Sequence, residues 1–220
     1  GHEASALCMD KLRTKQVLEA EGIPTPRWKV VRSGDVDPGI NFDRAVVKPR
    51  REGSSIGMSI VPSDEVSSAI QKARNFGSDV IVEEYMDGYE ATVGVVGLES
   101  VEILPPVGIR PSHDFFDYET KYTKGLTEYD VPADLPDNVK QELREITART
   151  VNAFEAQSLC RVDFILDEEH NPYVLELNTI PGLTETSLLP KAARLDGMSF
   201  EQLVWNLVCH AEEEQLWEVA

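Results

Sequence analysis

Arg161-Val162-Asp163-Phe164-Ile165-Leu166 and Tyr173-Val174-Leu175-Glu176-Leu177-Asn178 flank a span, Asp167 to Pro172, made of Asp, Glu, His, Asn and Pro. The outer runs alternate with period two, as half-buried strands do, and the span between them is turn chemistry, so the stretch predicts a β-hairpin. Val162, Phe164 and Leu166 share one face, while Arg161, Asp163 and Ile165 share the other. Pairing Leu166 with Tyr173 sets Ile165 opposite Val174, Asp163 opposite Glu176 and Arg161 opposite Asn178. One face is then apolar throughout, and the other turns polar away from the loop.

Two carboxylates opposed across a ladder repel each other, so a positive group is expected between them. Mg²⁺ fits, because it takes oxygen ligands from one or two carboxylates together with phosphates and water. Asp163, Glu176 and the Asn178 amide oxygen are its candidate ligands, with Arg161 facing whatever anion the metal carries. A solvated acidic hairpin accounts for the same residues taken alone. The rest of the chain decides between the two.

With 220 residues the chain suits one large domain or two small ones. Its 21 Lys and Arg against 39 Asp and Glu give a net charge of −18, which disfavours nucleic acid and anionic membranes as partners. A nucleotide ligand then needs local positive charge and metal. No apolar run approaches transmembrane length and no signal peptide is evident, while Cys8, Cys160 and Cys209 form neither a disulfide framework nor a zinc pattern. Cytoplasmic residence is the expectation, and residues 1–3 read as a cloning remnant.

One helix is expected from Ala4 to Glu21, with Lys11 on its polar side and Gly22, Pro24 and Pro26 after it. Strands are expected at 28–31, 44–48 and 59–61. The last two enclose Pro49 to Met58, a loop whose glycines and serines suit it to surround phosphate oxygens, with Lys48 in reach. A plain hairpin connection explains that loop equally well. Ser63 is expected to cap a helix to Phe76. Strands 80–85 and 90–96 follow, separated by Met86-Asp87-Gly88, a candidate boundary between lobes. Ile109 to Leu135 lacks periodicity yet holds five aromatic residues, and is read as a lid. Pro136 opens a helix to about Gln157. After the hairpin, Thr179 to Ser187 is a loop bordering the acidic pair, a short helix spans Leu188 to Leu195, and Ser199 with Gln202 forms a capping box for the last helix.

Met9-Asp10-Lys11, Lys48 to Gly57, Glu83-Glu84-Tyr85, Asp117 to Tyr122, Arg161-Val162-Asp163 and Leu175 to Gly182, in this order, resemble the D-alanine–D-alanine ligases of the ATP-grasp superfamily. The resemblance implies an α+β fold in which two α+β lobes, residues 4–87 and 88–220, sandwich a nucleotide between antiparallel sheets. It implies that Lys11 and Lys48 hold ATP phosphates beneath a loop carrying Ser54 and Ser55. Glu83 takes the adenine amino group, backbone near Tyr85 and Met86 takes the rest of the base, and Glu90 takes the ribose. Asp163, Glu176 and Asn178 hold two Mg²⁺ ions, with Mn²⁺ an alternative. Lys121 on the lid meets phosphate and substrate, Arg161 and the Gly182 amide stabilise the oxyanion, and Ser187 with Leu188 holds the second amino acid. Ser54 and Tyr122 couple phosphate loop to lid.

The activity so implied joins two D-alanines through an acyl phosphate at the expense of ATP, for peptidoglycan. The alternatives are an ATP-grasp ligase for other amino acids and a non-catalytic nucleotide-binding module. Two departures stand out. The family's amino-terminal domain is missing and is expected in the full protein, which also leaves open whether this chain turns over alone. Arg50 stands where the family usually has serine. A homodimer is left open.

Overall fold

The computed structural model of the chain describes residues 1–35, 39, 42–97, 100–111, 127–156 and 158–218. Four strands, β1 (Trp28–Val31), β2 (Arg44–Pro49), β3 (Ser59–Pro62) and β4 (Val80–Glu84), form one sheet in the order β1-β4-β2-β3. Six more, β5 (Tyr89–Gly97), β6 (Val101–Ile103), β7 (Val107–Pro111), β8 (Thr127–Asp130), β9 (Leu159–Leu166) and β10 (Pro172–Asn178), form the other. Its order is β10-β9-β5-β7-β8, with β6 also on β5. Every pairing among the described residues is antiparallel. The expected α+β architecture is therefore present.

The smaller sheet is covered by α3 (Val66–Ala73), whose Val66, Ala69, Ile70 and Ala73 recur at helical spacing and pack on Ala45, Val47, Val80 and Val82. Single-turn 3₁₀ segments at 63–65 and 74–76 complete the expected helix, and Ser63 makes no side-chain cap. The larger sheet turns Ala91, Val93, Val95, Val162, Phe164 and Leu166 toward three helices. These are α1 (His2–Cys8), α2 (Lys11–Ala20) and α4 (Asp137–Ala153). Its opposite face meets α5 (Leu188–Leu195) and α6 (Phe200–Glu218) around Leu104, Leu189 and Leu203.

Several expectations change. The single helix over 4–21 is two, because Asp10 leaves helical geometry and its carboxylate caps the next turn, accepting from the Arg13 amide at 3.4 Å. Helix α1 starts at His2, inside the expected remnant. Ala4, Leu18 and Ile23 join the core of the larger sheet, so residues expected in the smaller lobe pack with the other one. Of the stretch read as a lid, residues 112–126 lie outside the described residues, and its two ends belong to sheet and core. Its ends are β7 and β8, which pair from Gly108↔Asp130 to Pro111↔Thr127, and Ala133 and Leu135 are core. Helix α4 stops at Ala153, short of the expected end, with Pro136 in the cap position.

The hairpin forms with one correction to its register. Asp163 faces Glu176 and Arg161 faces Asn178, as expected, but Leu166 pairs with Pro172 and Ile165 with Tyr173. A bulge between Val174 and Glu176 absorbs the difference. Its cause is non-local: the outer edge of β10 is taken by residues 24 and 25. The Val174 amide donates to the Pro24 carbonyl at 2.8 Å, and the Val174 carbonyl accepts from Thr25 Oγ1 at 2.7 Å. Val174 thereby turns into the core and Leu175 toward the space between the sheets.

Gly88 carries the chain from one sheet to the other. A Cβ built there would lie 1.9 Å from the Leu166 carbonyl oxygen, which is backbone and cannot swing away. Gly88→Ala is expected to cost about 3 kcal/mol or more of stability, read as a lowered urea midpoint at unchanged slope.

Candidate active site

A cleft open to solvent lies between the two sheets. Its smaller-sheet wall is Val46, Lys48, Ile60 and Glu83; its larger-sheet wall is Glu90, Ile109, Asp163, Ile165 and Glu176. This follows from strand periodicity. Val46 is the register partner of Glu83, and Lys48 is two residues further along the same face.

Lys11, Lys48, Ser54, Ser55, Glu83, Tyr85, Met86, Glu90, Arg161, Asp163 and Glu176 all border the cleft. Lys11, in the first turn of α2, donates to the Glu52 carbonyl at the base of the serine loop. Burial and the neighbouring Lys48 charge push its pKa down. The loop bends through two consecutive left-handed serines, Ser54 at φ 49° and Ser55 at φ 60°, a conformation such residues adopt only under constraint. The Arg44 guanidinium lies over the Tyr85 ring, 4.0 Å from its centroid. Gly182 and Ser187 do not line the cleft but touch one another: a Cβ on Gly182 would sit 2.9 Å from Ser187 Oγ, which also accepts from the Thr184 amide at 3.1 Å. Leu188 packs against the cluster that holds Leu189. Lys121 and Tyr122 lie outside the described residues.

Within the cleft the acidic pair is already compensated. Arg161 forks onto Asp163, with Nε to Oδ1 and Nη2 to Oδ2 both at 2.8 Å. Asn178 Nδ2 donates to Asp163 Oδ2 at 2.8 Å and to Glu176 Oε1 at 3.3 Å. Thr92 Oγ1, a partner the sequence reading missed, donates to Asp163 Oδ1 at 2.6 Å. Burial opposes the Arg161 charge, yet Asp163 raises its pKa above the usual guanidinium range. The positive group between the acids in this state is therefore arginine with an amide. The donor set still suits a hard cation, since two carboxylates converge and the Asn178 amide, which presents its nitrogen to them here, would present its oxygen to a metal. Among the described residues no three His, Cys, Asp or Glu gather, so a metal here depends also on oxygens from its ligand.

Asp10 ties the start of α2 to the end of the smaller sheet. Besides capping α2, it accepts from Arg50 Nε at 2.7 Å and Nη2 at 2.6 Å, and Arg50 Nη1 reaches Asp79 at 2.9 Å. Burial alone would raise the Asp10 pKa; the bonds from Arg50, the Arg13 amide and Arg51 overcome it and hold it at about 2 against an ordinary 3.8. A depressed carboxylate stabilises the fold above the unfolded value and loses that effect as pH falls through the folded one. About 1 to 2 kcal/mol of stability should thus disappear between roughly pH 4 and pH 2. Asp10→Asn should flatten that acid limb in pH-dependent melts.

Antiparallel sheets closing on a cleft, with a glycine–serine loop and lysines on one wall and opposed carboxylates with an arginine on the other, define the ATP-grasp class. The profile of the family described as D-ala D-ala ligase C-terminus matches residues 17–209. A D-alanine–D-alanine ligase from Ectopseudomonas mendocina is 43% identical over 215 residues, covering 96% of this chain and 67% of the relative. The chain thus spans about two thirds of the length of the relatives it matches. Among solved structures, D-alanine–D-alanine ligase from Bacillus anthracis complexed with ATP superposes with a TM-score of 0.78 at 29% identity, covering 98% of this chain and 70% of that one. VanG D-Ala:D-Ser ligase from Enterococcus faecalis gives a TM-score of 0.80 at 29% identity, covering 94% and 62%. The chain belongs to the D-alanine–D-alanine ligase family.

Proposed function

We propose that this chain is the nucleotide- and metal-binding part of an ATP-dependent ligase that joins two D-alanines for peptidoglycan. The observation that carries the reading is the meeting, in one cleft, of Lys11 and Lys48 with the Arg161–Asp163–Glu176 group. Phosphoryl transfer asks for positioning and charge neutralisation rather than a protein nucleophile, and these residue types supply both.

The carboxylate of one D-alanine takes the γ-phosphoryl group, ADP leaves, and the acyl phosphate is attacked by the amine of a second D-alanine. The amine loses its proton and inorganic phosphate departs as the amide forms. Lys11 and Lys48 would hold ATP phosphates, with Ser54 and Ser55 above them, and Lys121 would meet phosphate and substrate. Glu83, backbone at Tyr85 and Met86, and Glu90 would take adenosine. Arg161 and the Gly182 amide would stabilise the charge on the acyl oxygen. Ser187 and Leu188 would seat the second amino acid, and Ser54 with Tyr122 would couple loop to lid. Asp163, Glu176 and Asn178 would hold two Mg²⁺, or Mn²⁺, which when bound neutralise phosphate charge and orient the transferred group. The third of the relatives' length not represented here would complete the first D-alanine site. Cytoplasmic residence follows from the substrates, and no described helix is long and apolar enough to cross a membrane.

Phosphate release with ATP and Mg²⁺, across a panel of D- and L-amino acids, tests the reading. Release that depends on D-alanine is expected. Equal release with other amino acids would overturn the substrate, and absence of Mg²⁺-dependent ATP binding by calorimetry would overturn the site. A second reading, D-serine as the attacking amino acid, is raised by the Enterococcus faecalis relative, and the same panel separates it.

A further inference from the structure

Lys15 lies on α2 one turn beyond Lys11 and is 1% exposed, a burial that a lysine tolerates only when its ammonium is paired. Its Nζ is 3.3 Å from Glu83 Oε1 and donates to Thr25 Oγ1 at 2.6 Å. Thr25 donates in turn to the Val174 carbonyl, beside the bulge that aims Glu176. Glu83 is itself 1% exposed, and Lys48 Nζ contacts the same Oε1 at 2.7 Å. Burial would neutralise the Glu83 carboxyl, but Lys15 and Lys48 hold its pKa below the ordinary value. Burial lowers the Lys15 pKa to about 8 against the pull of Glu83.

Two ammoniums thus share one carboxylate oxygen, and one of them has other work. A single ammonium cannot sit on Glu83 and on a nucleotide phosphate together. When Lys48 turns to phosphate, Glu83 would be left as a buried carboxylate with no partner, which costs several kcal/mol unless another cation stays. Lys15 is the cation that stays, fixed by Thr25. A carboxylate's second oxygen can accept a further donor.

We propose that Lys15 is a positioning residue of the nucleotide site: it keeps the Glu83 carboxylate ionised and fixed, so that Glu83 selects the amino group of adenine while Lys48 engages phosphate. This rests on the reading of Glu83 as the base-contacting residue. An ionised acceptor favours a base carrying an amino group over one carrying a carbonyl there, so the signature is the preference for ATP over ITP rather than nucleotide binding in general.

Calorimetry with Mg²⁺ on the protein and its variants gives both dissociation constants, beside a thermal melt. Lys15→Met, similar in length and uncharged, should weaken ATP about tenfold and shrink the ATP:ITP preference at least about fivefold. Thr25→Val, which unties Lys15 but keeps its charge, should move the preference the same way by less, and it decides the matter if Lys15→Met does not fold. A preference within about twofold of the parent in Thr25→Val, or in a folded Lys15→Met, overturns the proposal, since a merely structural lysine would weaken both nucleotides in parallel. Glu83→Gln tests the underlying reading separately. An unchanged preference there sinks the base contact itself, whereas a change there without one in the Lys15 and Thr25 variants sinks only the role of Lys15.

Discussion

Glu176→Gln is expected to reduce ligation at least about a hundredfold while leaving the fold as stable as before. The two effects separate because the side chain has opposite consequences for them. For folding, Glu176 is a liability: it stands directly across the β9–β10 ladder from Asp163, and like charges so placed repel. Its Oε1 accepts a hydrogen bond from Asn178 Nδ2 at 3.3 Å, which a glutamine oxygen accepts equally well. The melting temperature should therefore hold or rise slightly. For catalysis, the lost negative charge is half of what the hairpin offers a divalent cation, and the metal's neutralisation of phosphate is worth several kcal/mol of barrier. The rate should fall and its midpoint in a Mg²⁺ titration should move to higher concentration, with nucleotide saturation little altered in metal-free binding. An unchanged Mg²⁺ titration in a folded variant would remove this residue from the metal site.

What the sequence made legible, and what it concealed, follows the range of the interactions. Alternation in 161–166 and 173–178 is local, so the hairpin and the facing of Asp163 with Glu176 could be read directly. The bulge at Leu175 could not, because it is set by Pro24 and Thr25 bonding to Val174 from a segment far away in the chain. The same holds for β7 and β8. Each is short and pairs outside its own neighbourhood, so the region reads as an aperiodic lid although its ends are sheet. The break between α1 and α2 was visible in principle, since aspartate is a strong cap, but apolar periodicity continues across Asp10 and masks it. Lys15 is the clearest case. In a helix a lysine reads as a solvated face, and nothing local distinguishes it from Lys11; only its meeting with Glu83 in the folded state does. Arg50 could be noticed as unusual, but its clamp on Asp10 and Asp79 needed the fold.

Arg161→Ala should lower kcat by about two to three powers of ten with a much smaller change in the KM for ATP, because an arginine in the proposed role, facing charge that develops on the acyl oxygen, would act on the transition state rather than on the bound nucleotide. It should also destabilise the metal-free protein by about 2 to 3 kcal/mol, since Asp163 would lose its fork, although the bonds from Thr92 and Asn178 would remain. These two losses respond differently to Mg²⁺. A divalent cation bound between the acids, as proposed, would replace the positive charge that Arg161 provides in its absence, and binding to the folded state alone raises stability by mass action. Millimolar Mg²⁺ should thus raise the melting temperature of Arg161→Ala by more than it raises that of the parent, while kcat stays low. Arg161→Lys separates charge from geometry: the ammonium restores part of the metal-free stability, but a point charge without the planar fork leaves most of the kcat defect. Equal Mg²⁺ shifts in parent and Arg161→Ala would mean that arginine and metal do not serve the same pair of carboxylates.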